Sequence, residues 1–206
     1  MDIENHYRNE TPFTRAIILH GRRSFNKYHN PTVDSTSNSH WLPWLQQQLL
    51  IRGILTQTPE MPRPYEPRYE AWRQEFAYLP VDERMLLVGH SCGGGFLLRW
   101  LSEGNCRVGR VVLVAPWLDV EGEAGDFFRF TLDRQIDRKA VHGIDVLYST
   151  NDYPHLQSST AKLRRELPQL RYHRFVDHGH FTFSAMQTRV FPELIEICLR
   201  EEKKND

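Results

Sequence analysis

MLLVGHSCGGGFLLRWL, residues 85–101, is the stretch of sequence from which the fold is predicted. The apolar run Met85 to Val88 predicts a buried strand, and the apolar spacing after the glycines predicts a helix. Between them lies the pattern Gly-x-Ser-x-Gly, with Ser91 at its centre. Glycine suits such a turn because the strand and the helix pass so close together that side chains would clash. The position between a strand and a helix, more than the pattern itself, indicates a serine held outward on a strained turn.

The same alternation of strand and helix continues on both sides of this stretch. Continuous apolar runs of strand length are typical of strands buried on both faces of a parallel sheet. We predict strands at 16–19, 85–88, 111–114, 144–148 and 170–176, with a weaker strand at 53–56. We predict helices at 39–50, 69–78, 92–101, 160–167 and 191–199. Repeated strand–helix units indicate an α/β fold with a mostly parallel central sheet and helices on both faces.

Two segments interrupt the alternation. Residues 21–38 are polar and are predicted to form a long loop after the first strand, and residues 117–143 are predicted to hold short helices around 126–132. Neither segment is long enough for a full cap domain. The length of 206 residues predicts a single domain over 1–206, with residues 1–14 and 201–206 flexible or peripheral.

Composition excludes several classes of protein. Lys and Arg total 26 and Asp and Glu total 26, so the zero net charge argues against a nucleic-acid-binding protein. The sequence contains no apolar run of the length that crosses a membrane, and residues 1–11 lack the apolar core of a signal peptide. The three cysteines, at 92, 106 and 198, form no motif of paired cysteines. We therefore expect a cytoplasmic protein that interacts with neither membranes nor nucleic acids.

Ser91 needs partners to become a nucleophile, because a serine hydroxyl attacks a carbonyl only when a base accepts its proton and an acid orients that base. Asp152 follows the predicted strand 144–148, and His180 follows the predicted strand 170–176. Both lie at the carboxyl ends of strands, where ligands bind in open α/β sheets. The order serine, aspartate, histidine along the chain is also one that catalytic triads use. We predict Ser91, Asp152 and His180 as the catalytic residues.

Each of the two partners has a rival in the sequence. Asp119 follows the strand 111–114 and is an alternative acid, although it also fits a helix cap or a surface position. His178 is an alternative base, but His180 is favoured because the preceding Gly179 gives the loop freedom to orient it. The two histidines have no third ligand nearby, so we predict no metal site. The glycines after Ser91 lack the residues of a phosphate-binding loop, and we predict no cofactor.

The remaining candidates surround the serine. Backbone N–H groups of Cys92, at the start of a helix, and of Arg22, in the loop after the first strand, are the predicted oxyanion hole. The Cys92 thiol is expected to pack beneath the turn. Five aromatic side chains are candidates for lining an acyl pocket, although each is equally compatible with the core: Trp117, Phe127, Phe128, Tyr153 and Phe181. Of these, Trp117, Tyr153 and Phe181 are the predicted substrate-binding residues.

These residues resemble the α/β-hydrolase superfamily, and more narrowly the small serine hydrolases related to retinoblastoma-binding protein nine, often called YdeN-like. The resemblance covers the chain from about 17 to 199. It rests on these positions: Gly89 to Gly94, Trp41, Trp44, Met61–Pro62, Ser149 to Asp152, and Gly179 to Phe181. It implies a three-layer fold without a large lid domain. It also implies Ser91 as nucleophile, Asp152 as acid and His180 as base.

The predicted function is that of a serine hydrolase that cleaves small carboxylic esters, or related thioesters or amides, through an acyl-enzyme intermediate. The expected partner is therefore a small-molecule acyl substrate. Fold does not fix function, so a binding or regulatory protein with a slow triad is one alternative. An acyltransferase, in which another alcohol or thiol replaces water, is a second alternative. The sequence predicts no oligomeric state.

Overall fold

A computed structural model describes residues 11–122 and 124–201 of the chain. Within these residues, six parallel strands form one sheet in the order β2–β1–β3–β4–β5–β6. The strands are β1 (Arg15–Leu19), β2 (Leu55–Gln57), β3 (Met85–His90), β4 (Arg110–Val114), β5 (Ile144–Ser149) and β6 (Arg171–Phe175). The order reverses direction between β1 and β3, and ligands bind at such a point in open parallel sheets.

Helices cover both faces of this sheet. They are α1 (Phe25–Tyr28), α2 (Leu42–Leu50), α3 (Tyr69–Phe76), α4 (Cys92–Glu103), α5 (Pro154–Glu166), α6 (Phe183–Met186) and α7 (Pro192–Leu199). One core cluster packs α3, α4 and α5 against one face, and a second packs α2 and α7 against the other. Successive strand residues alternate between the clusters: Val111 lies in the first and Val112 in the second. The uninterrupted apolar runs 16–19, 85–88 and 111–114 follow from this burial on both faces.

The predicted three-layer α/β architecture is thus confirmed, and no large lid domain is inserted in the described ranges 11–122 and 124–201. The main differences lie at the ends of elements. Helix α5 begins at Pro154, whereas we predicted its start at 160. Its first turns carry few apolar residues, so their helical spacing is weak, but proline at the first position of a helix is itself a start signal.

The two segments predicted to be irregular also contain short elements. Residues 21–38 include α1 and a 3-10 turn at Thr36–Asn38. The prediction of short helices around 126–132 is wrong, because this stretch forms turns. A 3-10 turn occurs instead at Ile136–Lys139. The side chains of Phe127 and Phe128 are both buried in the core next to α4. Two neighbouring residues bury their side chains in the same cluster here because the backbone follows an irregular turn.

The chain ends fall largely outside the description. The prediction that 1–14 and 201–206 are peripheral concerns mainly residues 1–10 and 202–206, which lie outside the described residues. Phe13, however, is buried in the core, and the Thr14 N–H donates to the Arg84 carbonyl at 3.1 Å. The packed structure therefore begins before β1. None of the described helices has the length and apolar character needed to cross a lipid bilayer.

Candidate active site

Ser91 occupies a sharp turn between β3 and α4. Its backbone has φ 53° and ψ −115°, a conformation that costs free energy for any residue with a side chain. A Cβ atom on Gly93 would lie 2.6 Å from the His20 carbonyl oxygen, and one on Gly89 would lie 2.7 Å from the Gly94 nitrogen. The Ser91 N–H donates to the Val114 carbonyl at 2.9 Å. Close packing by glycine and hydrogen bonding to β4 together hold the strained serine in place.

Asp152 and His180 meet at the same edge of the sheet. Asp152 lies between β5 and α5, and His180 lies in the loop after β6. The Nδ1 atom of His180 is 3.1 Å from each carboxylate oxygen of Asp152. This carboxylate orients the ring with a proton on Nδ1, so that Nε2 is left to accept a proton. His180 and Ser91 line the same cavity.

The two rival residues make other contacts. The Asp119 carboxylate accepts the Ala124 N–H at 2.7 Å, and its carbonyl accepts the Gly122 N–H, so it stabilises its own turn. The His178 ring donates through Nδ1 to the Val176 carbonyl at 2.8 Å and packs against Phe175. The structure therefore brings together Asp152 and His180, and it places Asp119 and His178 in local turn contacts.

Two polar residues that the sequence analysis did not assign to the site join the aspartate and histidine loops. The Asn151 side-chain oxygen accepts the Gly179 N–H at 2.8 Å and the Ser149 hydroxyl at 2.7 Å. The Ser149 oxygen in turn accepts the His178 N–H at 3.1 Å. These bonds hold the loop of His180 beside that of Asp152. Both residues lie in the Ser149-to-Asp152 motif, so the signal was present without an assigned role.

His90, which precedes Ser91, is a third residue to which the sequence analysis gave no role. Its Nε2–H donates to the His180 carbonyl at 2.9 Å, and its ring lies 4.9 Å from the His180 ring. Burial lowers the pKa of His90 well below its usual value, so the ring is neutral. A neutral donor at this position fixes the His180 backbone without adding charge. Its place inside the serine motif is the only sequence signal for this role.

The loop after β1 approaches Ser91 from the other side. The buried His20 ring donates from Nδ1 to the Gly21 carbonyl and accepts the Met61 N–H at Nε2, both at 2.8 Å. Burial lowers the pKa of His20, which keeps the ring neutral for this pair of bonds. A Cβ atom on Gly21 would lie 3.0 Å from the Ser91 side chain. The backbone beside Ser91 therefore includes the loop of Arg22, whose role as an oxyanion donor stays a prediction.

A cavity of about 430 Å³ opens in front of Ser91 and His180. Its other lining residues are Arg22, Arg23, Ser24, Tyr65, Trp117, Tyr153, His155 and Leu156. Of the five aromatic residues considered for a pocket, Trp117 and Tyr153 lie in this lining, whereas Phe127 and Phe128 are buried in the core. The prediction for Phe181 is wrong, because its side chain is fully buried between Phe175 and Phe191. The left-handed backbone at Phe181, φ 52°, turns the chain so that this residue enters the core immediately after His180.

Other nucleophiles and ligand clusters do not contribute to this cavity. Cys92 is fully buried beneath the turn, and burial raises the pKa of its thiol, so the sulfur stays protonated. Over residues 11–122 and 124–201, no group of three or more His, Cys, Asp or Glu side chains is placed to hold a metal ion. The chemistry available at the site is thus that of a serine beside a histidine–aspartate pair.

Comparisons with known proteins identify the family and the fold. A family model described as serine hydrolase matches residues 31–194. YdeN of Bacillus subtilis (strain 168) is 32% identical over 175 residues, which cover 81% of this chain and 85% of that protein. The crystal structure of the ydeN gene product from B. subtilis has a TM-score of 0.73 at 24% identity, covering 89% of this chain and 96% of that chain.

A second solved structure shares the fold at lower sequence identity. A YdeN-like hydrolase from Pectobacterium atrosepticum SCRI1043 has a TM-score of 0.59 at 17% identity. The match covers 96% of this chain and 94% of that chain. Structural likeness at these identities shows the α/β-hydrolase fold, and the family match covers the segment that contains Ser91, Asp152 and His180.

Proposed function

Because the chain belongs to the serine hydrolase family, we propose that it cleaves small carboxylic esters with Ser91 as nucleophile, His180 as general base and Asp152 as the residue that orients the base. The observation that carries this proposal is the contact of His180 Nδ1 with both Asp152 oxygens, beside a cavity that Ser91 also lines. The strained turn at Ser91 supports it, because such strain persists where the surrounding structure holds a residue in a functional position.

The reaction proceeds in two halves. The Ser91 oxygen attacks the ester carbonyl carbon while His180 Nε2 accepts its proton. The tetrahedral intermediate collapses, the C–O bond to the alcohol breaks, and His180 returns the proton to the departing alcohol oxygen. Water then attacks the acyl-enzyme with His180 again as base. Collapse of the second intermediate releases the carboxylic acid and restores the Ser91 hydroxyl.

Negative charge on the carbonyl oxygen is stabilised by backbone donors. The Cys92 N–H belongs to the first turn of α4, where N–H groups have no partner within the helix and the helix dipole favours an anion. We assign the second donor to the Arg22 N–H, since the preceding Gly21 packs against Ser91. Two such donors accelerate acyl transfer because the hydrogen bonds they donate become stronger as negative charge develops on the carbonyl oxygen.

We assign the substrate to small molecules on the basis of the cavity. A volume of about 430 Å³ lies within the range of small-molecule sites. Trp117, Tyr153 and Leu156 provide apolar contact for an acyl or aryl group. We further propose that the reaction takes place in the cytoplasm, because the three cysteines are free thiols, which suits a reducing compartment.

Steady-state hydrolysis of phenyl esters tests this function. We expect turnover of phenyl acetate and phenyl butyrate, since both esters are small enough for the cavity of about 430 Å³. Product analysis with added alcohol separates the hydrolase, which releases mainly the free acid, from an acyltransferase, which forms the new ester. Binding of these esters without turnover would contradict the proposal and favour a binding protein on the same fold.

A further inference from the structure

The cavity in front of Ser91 has an uneven charge. Two arginines, Arg22 and Arg23, line it, and its lining includes no aspartate or glutamate. The Asp152 carboxylate lies behind His180 and is directed to that ring. A cleft lined by charges of one sign concentrates field lines and attracts a ligand of the opposite charge.

Arg23 is held in place by neutral groups. Its guanidinium donates to the Asp34 backbone carbonyl and to the Ser39 hydroxyl. The backbone N–H of Arg23 donates to the Pro64 carbonyl at 3.2 Å. The Asp34 carboxylate is itself paired with Arg189 at 2.6 Å. Within residues 11–122 and 124–201, the positive charge of Arg23 is therefore fixed in the cavity wall without an ion-paired carboxylate.

Arg22 is the more exposed of the two cations. Its guanidinium carbon lies 5.1 Å from the centre of the Trp117 ring, which forms part of the same wall. Stacking on an aromatic ring positions a guanidinium while leaving its N–H groups available to a planar anion. Among residues 11–122 and 124–201, Arg22 forms no ion pair.

Carboxylates do occur in an adjoining cavity that Arg22 also borders, but arginines outside the catalytic cavity engage the two glutamates there. Glu66 pairs with Arg63 and, at 3.4 Å, with Arg68. Glu70 pairs with Arg73 at 2.8 Å. Asp126, the third carboxylate of that cavity, forms no ion pair with Arg22. In the part of the chain that the structure describes, no carboxylate therefore forms an ion pair with the Arg22 guanidinium.

We propose that the substrate of this site is an ester that carries a carboxylate on its acyl or its alcohol portion, and that the Arg22 side chain binds this carboxylate beside Trp117. The inference rests on the proposed function and narrows its substrate class. The guanidinium offers two parallel N–H donors to the two carboxylate oxygens. The fixed charge of Arg23 adds attraction at longer range. Arg22 then has two roles. Its backbone N–H donates to the oxyanion, and its guanidinium binds the substrate carboxylate.

Two pairs of esters that differ in charge test the inference. Phenyl hydrogen adipate and phenyl methyl adipate place the charge in the acyl portion, and 3-acetoxybenzoate and its methyl ester place it in the leaving group. In the wild-type protein, we expect kcat/KM for the anionic ester to exceed that for the neutral ester by about ten-fold in at least one pair, the effect of one hydrogen-bonded charge pair partly exposed to water. The preference is expected to fall as KCl is raised.

Variants of Arg22 separate its side chain from the rest of the site. Arg22→Gln keeps the backbone N–H and is expected to reduce the preference to less than about two-fold, while Arg22→Lys retains part of it. The ratio of the two esters is the readout, so that any general loss of catalysis cancels. Arg84→Gln is the matched control, because Arg84 is exposed at the start of β3, at the opposite end of the sheet from Ser91. It removes the same charge and is expected to keep the wild-type ratio.

The outcomes distinguish the inference from the function on which it rests. A preference that Arg22→Gln removes and Arg84→Gln keeps supports the inference. Cleavage of neutral and anionic esters at equal rates, or a preference unchanged in Arg22→Gln, overturns the inference and leaves the ester hydrolase in place. Equal losses of preference in Arg22→Gln and Arg84→Gln overturn it as well, since net charge alone would then explain them. Failure to cleave any of the four esters overturns the proposed function itself.

Discussion

Replacing Ser91 with alanine is expected to lower kcat/KM for phenyl acetate by about 10⁴- to 10⁶-fold. The substitution removes the atom that forms the acyl-enzyme, and only binding and backbone electrostatics remain to accelerate attack by water. The fold is expected to survive, because the turn is held by the Ser91 backbone, whose N–H binds Val114 and whose carbonyl accepts from Gly95 and Trp117. Steady-state phenol release measures the loss.

Two controls accompany the Ser91→Ala experiment. Thermal unfolding of the variant is expected to remain within a few degrees of the wild-type Tm, since alanine meets the same backbone strain as serine. Ser158→Ala, which removes a hydroxyl from α5 outside the cavity lining, is expected to retain wild-type kcat/KM. Retention of more than about 1% of activity by a folded Ser91→Ala variant would exclude Ser91 as the essential nucleophile.

Replacing Asp152 with asparagine is expected to lower kcat by about 10³- to 10⁴-fold and to change KM little. The amide removes the negative charge that stabilises the His180 imidazolium. It can also donate to Nδ1, which would leave the proton on Nε2, where the ring could no longer accept the Ser91 proton. Because Asp152 lies behind His180 and outside the cavity lining, substrate binding is expected to persist. Full steady-state curves separate kcat from KM.

The matched control for Asp152→Asn is the same change at Asp119. Asp119 follows the neighbouring strand β4 and closes its own turn through the Ala124 N–H, a bond that an asparagine oxygen can keep. Asp119→Asn is expected to retain kcat/KM within about three-fold, the range of ordinary substitutions away from the chemistry. A large loss in Asp119→Asn together with normal activity in Asp152→Asn would reverse the assignment of the acid.

The four central strands, β1, β3, β4 and β5, were predictable because they are buried on both faces. Residues 111–114 are uniformly apolar for that reason, and alternate members pack into different core clusters. Ser91 was predictable because the sharp turn between β3 and α4 requires glycine at 89 and 93, where added side chains would clash with backbone atoms. Local steric requirements and two-sided burial leave a direct record in the sequence.

Features that depend on long-range contacts were harder to predict. Phe181 follows the histidine of the site, yet a left-handed backbone sends its ring into the core, and no short-range pattern specifies that conformation for phenylalanine. The bond from His90 to the His180 carbonyl joins residues 90 positions apart. The Asn151 bond to Gly179 likewise depends on two strands lying side by side. Contacts between residues so far apart in the sequence cannot be predicted from the spacing of residues along the chain.

Labelling with a fluorophosphonate probe reports whether Ser91 is an activated nucleophile. The probe reacts with activated serines and needs no knowledge of the natural substrate. We expect one covalent adduct by intact mass, mapped by peptide sequencing to Ser91, absent in Ser91→Ala and strongly slowed in His180→Ala. A folded wild-type protein that stays unlabelled under conditions that label a known serine hydrolase, or an adduct at another serine, would show that Ser91 is not the activated nucleophile.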